Sequence, residues 1–372
     1  MVKIITLEEW LSFFKKKDIS LDKFINNYKV KSGEKMTKFK EISKKKKLTK
    51  TDINVLYKYF VLNKNEYLTN FYNKSLKVLD NLDLTNIKNL SLNNSHNSSY
   101  KNLIRNIYYK DILLYTKTGI SGLRPFLEVL FDLYINNTID YKLLTPCAIK
   151  MMKRNIFSSI LSGFYFRSSI LNPSVIYTLS KKYIKNASRV FTPTLGWSSY
   201  MYGFLSDEKI EEYVGTDVIK SVCSNTKKLA KKMFPDKYVD IYCSQSELLR
   251  KNKEFMKEYK NYFDVVFFSP PYYKLELYRG RKQSTTMYKT YEEWLEKYWE
   301  ETIKLCRDVL HKDGKLIYII SGYDKQVDMN KDMNNITKKY FKYKTKKNLG
   351  NTNVGFTDHK DTNEIIYFFD LK

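Results

Sequence analysis

From about residue 185 onward, short β-rich runs alternate with helical stretches, and no other feature of the chain limits its fold as strongly. The runs are "SRVFTPT", "EEYVGTDV", "VDIYCSQ", "FDVVFFSPP", "GKLIYIISG" and "EIIYFFDL". Each is a few residues of Val, Ile, Tyr and Phe, and helical periodicity fills gaps such as 219–233 and 291–310. Strands alternating with helices predict βαβ units and a mostly parallel sheet covered on both faces, an α/β domain. The last run, 364–371, follows a polar loop and is expected to form a terminal hairpin on the sheet edge. Ligands of such sheets sit beyond the carboxyl ends of the strands. The strand ends therefore hold the candidate site residues: Thr192-Pro193-Thr194, Gly215-Thr216-Asp217, Ser244-Gln245-Ser246 and Ser269-Pro270-Pro271-Tyr272.

The first 140 residues have a different texture. Leu7, Trp10, Leu11 and Phe14 share one face at helical spacing, and helical patterns recur over 51–79, opened by Thr51-Asp52, and over 103–135. Between them lie a basic stretch, 29–50, containing the run Lys44, Lys45, Lys46 and Lys47, and an Asn/Ser-rich stretch, 81–100, read as a long loop. The basic run suits a phosphate-contacting arm, an import signal or a solvated linker. The division expected is a basic, mostly helical domain over 1–140 and an α/β domain over 141–372.

The 372 residues carry 66 Lys and Arg against 40 Asp and Glu, a net charge of +26. A field of that sign attracts polyanions, and nucleic acid is the expected partner. Codon bias towards Lys, Asn, Ile and Tyr would also raise the lysine count. No apolar run reaches the length of a membrane span, and the N-terminus lacks the pattern of a secretion signal. Cys147, Cys223, Cys243 and Cys306 are widely spaced, which predicts free thiols in a reducing, cytoplasmic or nuclear setting. The three histidines lie apart from cysteines and acids at ligand spacing, so no metal site is expected.

The run "FDVVFFSPPYY" breaks at Ser269. Proline fixes φ and has no N–H, so Pro270-Pro271 makes a rigid extended corner. Its carbonyls and the Ser269 hydroxyl are acceptors for a planar amino group, and Tyr272 offers a ring face for stacking. Acceptors for an exocyclic amine beside an aromatic platform are what a flipped-out nucleobase requires. A plain Pro-Pro turn at a strand end is the simpler alternative.

With this corner the chain resembles the S-adenosylmethionine-dependent amino-methyltransferases of nucleic acid, whose motif is [Asn/Asp/Ser]-Pro-Pro-[Tyr/Phe]. The following "SPPYYKLELYRGRKQSTTMYKTYEEWLEKY" and "LCRDVLHKDGKLIYIIS" are similar to a branch from phages and large DNA viruses. The resemblance spans about residues 165–325. It implies a Rossmann-like class I methyltransferase fold with S-adenosylmethionine as cofactor. It also implies double-stranded DNA with its target base flipped out as partner, and a viral replication site as one setting. By the same resemblance Ser269, Pro270, Pro271 and Tyr272 are catalytic. Asp217 meets the cofactor ribose, "CSQSE" with Ser244 and Gln245 meets the adenine, and "SILNPSVIYTLSKKYI" with Pro173 closes over the methionine end. Thr192, Pro193, Thr194 and Gly196 complete the cofactor site, and Tyr273, Arg279 and Arg281 join the lysine run on nucleic acid.

One motif departs. Where the branch reads Asp-Pro-Thr-Ala-Gly-Trp-Gly-Gly, this chain has "TPTLGWSSY": Thr192, Leu195, Ser198 and Ser199 replace the acid, the small residue and two glycines. Serine at positive φ costs about 1 kcal/mol or more. Three readings stand: methylation of adenine N6 or cytosine N4 in DNA; a degenerate fold serving as nucleic-acid scaffold or partner subunit; and methylation of RNA or protein glutamine. No long insertion interrupts the α/β part, so sequence recognition falls by elimination to the N-terminal domain.

Overall fold

A computed structural model describes residues 3–15, 18–76, 87, 90–96, 98–322, 327–351 and 364–372. The N-terminal third is built on aromatic anchors. Trp10, on the helix Leu7–Ser12, is fully buried against Phe14 and Phe71, and its indole N–H donates to the Leu68 carbonyl at 3.0 Å. A buried indole needs such a partner, because its unpaired N–H costs a desolvation penalty. The helix predicted to open at Thr51 starts earlier. Thr49 caps Lys50–Tyr57, its hydroxyl accepting the Asp52 N–H at 3.1 Å while the Asp52 carboxylate accepts the Thr49 N–H at 2.9 Å.

The basic stretch 29–50 is folded. β1 (Lys29–Ser32) and β2 (Lys35–Lys38) pair as a hairpin, followed by the helix Phe39–Lys45. Two strands from the end of the N-terminal third follow, β3 (Lys117–Thr118) and β4 (Thr138–Asp140), and β4 joins β1 in parallel. The helices Pro146–Lys153 and Phe157–Phe164 then pack back on this region. Tyr59 donates to the Met152 carbonyl at 2.6 Å, its ring lies 5.3 Å from that of Phe157, and Lys153 pairs with Asp52 at 2.7 Å. Much of the expected loop 81–100 falls outside the described residues. Its described part is pinned: the Asn94 N–H donates to the Gly350 carbonyl at 2.7 Å, and the Asn94 side chain accepts the Asn172 N–H at 2.7 Å.

All six predicted runs are strands: β5 (Arg189–Thr192), β6 (Glu212–Thr216), β7 (Tyr238–Tyr242), β8 (Phe263–Phe268), β10 (Leu310–Ser321) and β12 (Glu364–Leu371); a short β9 (Glu276–Leu277) and β11 (Phe341–Asn348) were not predicted. The main sheet has the order β11-β12-β10-β8-β5-β6-β7. β7, β6, β5, β8 and β10 run parallel; β12 is antiparallel to both β10 and β11. In order of appearance the first five strands stand 3-2-1-4-5, as in a doubly wound dinucleotide fold. The closing strand enters between the fifth and sixth. The terminal hairpin is thus present, but β12 is its inner arm and the edge belongs to β11. Lys342, Lys344, Lys346 and Lys347 keep β11 exposed, and charge on an edge strand discourages further pairing.

Asp264, near the start of β8, works at the sheet's amino end. It accepts the Ser188 and Arg189 N–H groups, both at 3.0 Å, and pairs with the Arg189 guanidinium at 2.8 Å. That leaves the opposite, carboxyl end for the site.

Candidate active site

The carboxyl ends of β5, β6, β7, β8 and β10 open on one cavity enclosing about 1160 Å³, part of it open to solvent. Its charge is opposite to that of the chain. The walls carry Asp217, Glu247, Glu276 and Glu364 against Lys282 as the cation.

β5 ends in a tight corner. Pro193, Thr194 and Gly196 line the cavity, and Gly196 sits at φ +50 with no room for a side chain: a Cβ there would meet the Tyr200 ring at 2.3 Å. Trp197 and Ser198 follow at φ +58 and +68, so one of the two serines that replace glycine occupies the left-handed region. Its hydroxyl lies 2.5 Å from the Tyr108 hydroxyl and 2.6 Å from Thr226 Oγ1. Ser199 is right-handed at φ −67 and donates to the Gly196 carbonyl at 2.6 Å. Thr192 is turned away from the cavity and hydrogen-bonds the Tyr213 hydroxyl. Leu195 fills the space over Gly215, where a Cβ would lie 2.5 Å from its methyl.

Asp217, just past β6, faces the cavity and accepts the Ile219 N–H at 3.0 Å and the Leu195 N–H at 3.3 Å. Burial pushes its carboxyl up to about 6, against the pull of these N–H groups. Past β7, Ser244, Ser246 and Glu247 line the wall, whereas Gln245 is buried behind it, its amide donating to Glu247 at 3.3 Å. Pro173 is also off the wall. It opens the helix Pro173–Tyr183, and its carbonyl packs where Gly203 leaves room; Ser169, Ile170 and Leu171 line the cavity in its place.

The whole corner Ser269-Pro270-Pro271-Tyr272 lines the cavity. The Ser269 carbonyl is occupied, receiving Thr194 Oγ1 at 3.3 Å and the Tyr200 hydroxyl at 3.4 Å. The Tyr272 hydroxyl donates to the Ile319 carbonyl at 3.3 Å and lies 3.4 Å from Ser269 Oγ. A phenol has one proton, so the Ser269 hydroxyl donates to Tyr272 and keeps its lone pairs as acceptors. The Pro270 carbonyl receives no hydrogen bond among the described residues. Two free acceptors are left on this rim.

The residues expected on nucleic acid are scattered. Tyr273 donates to the Lys289 carbonyl at 2.5 Å and packs on Tyr291 and Trp294. Arg279 is paired with Asp111 at 2.8 Å and lies over the Tyr115 ring, joining the N-terminal third to the α/β part. Arg281 is exposed. Lys44, Lys45 and Lys47 are exposed at the end of their helix; Lys46 donates to the Leu144 carbonyl at 3.3 Å and sits 4.0 Å over the Tyr141 ring.

Sequence reasoning assigned no role to Glu276 and Glu364. Glu276, on β9, is buried and saturated. It accepts from Ser168 Oγ at 3.0 Å, from the Ser169 N–H and hydroxyl at 2.9 Å each, and from the Tyr278 hydroxyl at 2.5 Å. Its signal in the sequence is Glu276-Leu277-Tyr278, an acid two residues before the tyrosine that donates to it. Nothing marks Glu364 beyond its place at the head of an apolar run. Among the described residues no cluster of His, Cys, Asp and Glu is arranged to hold a metal ion, and no helix is long and apolar enough to cross a membrane.

No family model and no curated protein matches the chain. Solved structures align with it. The PH0226 protein of Pyrococcus horikoshii OT3 is 16% identical over 54% of this chain and 90% of its own, at a TM-score of 0.36. TrmN from Thermus thermophilus is 9% identical over 54% of this chain and 49% of its own, at 0.38. A putative rRNA-methylase from Clostridium thermocellum is 14% identical over 55% and 100%, at 0.35. At such scores these likenesses carry no argument of their own. The strand order does: β5 to β8 with β10, β11 and β12 form a Rossmann-like, mostly parallel sheet.

Proposed function

We propose that the chain transfers a methyl group from S-adenosylmethionine to the exocyclic amino group of adenine (N6) or cytosine (N4) in DNA, with the target base flipped out of the duplex. The observation that carries this reading is the pair of free acceptors, Ser269 Oγ and the Pro270 carbonyl, beside Tyr272 in an acid-walled cavity. Acceptors on the amino hydrogens draw the nitrogen towards sp3 and free its lone pair. Tyr272 offers a stacking face.

The cofactor's chemistry suits the other half of the cavity. It supplies an electrophilic methyl on a sulfonium, and a cation is favoured by carboxylate walls. Asp217, Pro193, Thr194, Gly196 and Ser244 line the cavity; Asp217 would accept from the ribose diol, the Pro193–Gly196 corner would hold the amino-acid end, and Ser244 would meet the adenine. These residues fit the group. Holding both reactants in line supplies most of the rate, and no covalent nucleophile on the protein is needed.

A second reading, a scaffold without activity, is favoured by one observation: Thr192 presents no acid to the cavity and turns its hydroxyl to Tyr213. The deciding measurement is mass spectrometry of nucleosides from DNA incubated with the purified chain and methyl-labelled S-adenosylmethionine. N6-methyladenine or N4-methylcytosine is the expected product. Label found only in RNA or protein redirects the substrate; no label, with no cofactor binding by calorimetry, selects the scaffold.

A further inference from the structure

Two of the four carboxylates that line the cavity, Glu276 and Glu364, differ in their surroundings. Glu276 accepts four hydrogen bonds. Glu364 opens β12 directly across from Ser321 of β10. Side chains along a strand alternate, so Ser321 shares a face with Ile319, and Glu364 shares it too. Ile319 lines the cavity, and its carbonyl receives the Tyr272 hydroxyl. Glu364 is therefore two strands from the Ser-Pro-Pro-Tyr corner, across β10. Its Oε2 is shielded from solvent and has no hydrogen-bond partner among the described residues.

A buried acceptor without a donor is costly, and it persists where a function uses it. We propose that Glu364 is the general base of the methyl transfer, taking the proton that the reacting amine must lose. This rests on the reading above. The amine lone pair forms the N–CH3 bond as the S–CH3 bond breaks, its electron pair staying on sulfur as a neutral thioether. The nitrogen is left cationic; its N–H bond breaks, the pair returns to nitrogen, and the proton goes to Glu364 Oε2. The carboxylic acid then releases it to solvent.

The charged groups around Glu364 support the assignment. Burial and the Glu276 charge raise its carboxyl to about 7, against the pull of Lys101 on the helix Ser99–Ile107. The Tyr200 and Tyr272 phenols also feel its charge, which raises them further.

The test compares wild type, E364Q and E364D. In wild type the turnover number rises with pH and levels off above about 7. E364Q is slower by about 100-fold, within the range of general acid–base catalysis, and its rate is flat across this pH range. E364D keeps the pH limb at a reduced rate. Independently of turnover, infrared titration of the protein with 13C-labelled glutamate shows a protonated-carboxyl band lost near pH 7 in wild type and absent from E364Q. Cofactor affinity and melting temperature at pH 6 stay near wild type in both variants. An E364Q enzyme with wild-type rate and pH limb overturns the role of Glu364 alone, as does a band that E364Q retains. A wild type inactive on DNA overturns the proposed function and this role together. Should E364Q fail to fold, a pH-independent E364D rate overturns the role.

Discussion

The corner that ends β5 and the corner that ends β8 stand side by side, yet they are held differently. At β8 the backbone is fixed covalently: Pro270 and Pro271 set the turn, and Ser269 and Tyr272 on either side line the cavity. At β5 the backbone is fixed by neighbours. Ser198 is held at φ +68 by hydroxyls of Tyr108 and Thr226, and Leu195 by the gap over Gly215. Tyr108 comes from the N-terminal third. A turn can therefore lose glycine when a second region supplies the bonds that offset the left-handed conformation. At this corner two parts of the chain depend on each other.

The largest expected effect separates the corners by activity. Ser269→Ala and Tyr272→Ala should each lower methyl transfer about 100-fold or more, comparable to losing an oriented hydrogen-bonding group in other active sites. The cofactor affinity should stay within about twofold. Parallel transfer assays and calorimetry decide this; equal losses in both would dissolve the distinction between a base-holding and a cofactor-holding corner.

Asp217 gives a pH test of the cofactor corner. Its folded carboxyl, raised from 3.8 to about 6, binds a proton more tightly than the unfolded one. The stability this contributes is fully present below pH 3.8 and is lost as pH rises through 6, amounting to about 3 kcal/mol at 1.36 kcal/mol per pH unit. In Asp217→Asn the fall of melting temperature between pH 4 and 6 should flatten, and cofactor affinity should drop about tenfold. An unchanged slope would place the titrating group elsewhere.

The interdependence itself is measured by Ser198→Gly, Tyr108→Phe and the double variant. Glycine relieves about 1 kcal/mol of backbone strain but gives up two buried hydrogen bonds worth about 1 kcal/mol each. A net loss near 1 kcal/mol is expected, with a coupling of similar size to Tyr108. Additive effects in chemical denaturation would show the two regions to be independent here.

The smallest effect concerns the lysine run. Lys44→Ala, Lys45→Ala and Lys47→Ala together should leave the melting temperature unchanged, because all three are exposed. If they meet phosphates, the slope of log affinity for DNA against log salt falls by about 0.9 per contact. Lys46→Ala should instead cost stability, since it packs on Tyr141.

Much of the α/β part was legible because its strands are continuous apolar runs, buried on both faces. β11 was not: "FKYKTKKN" is a lysine-rich edge, with seven of its residues exposed, and gains strand form only by pairing with β12. The basic stretch 29–50 was ambiguous for the same reason, its strands depending on β4 about a hundred residues away. Arg279 reads as a free cation in sequence; Asp111, remote in the chain, claims it. Tyr273 reads as a platform, but Tyr291 and Trp294 cover it.

By itself the sequence determined the strand-helix alternation, the rim on which the site lies and the Pro-Pro corner, since these follow from local patterns: side-chain periodicity and a ring that fixes φ. Only the tertiary structure decided which carboxylates meet in the cavity. Glu276 and Glu364 are far apart in the chain and both reach the cavity, Glu364 because β12 enters the sheet beside β10 and Glu276 on β9, which pairs with β3. A carboxylate's role depends on its donors, its neighbouring charges and its distance from water, and long-range packing sets all three.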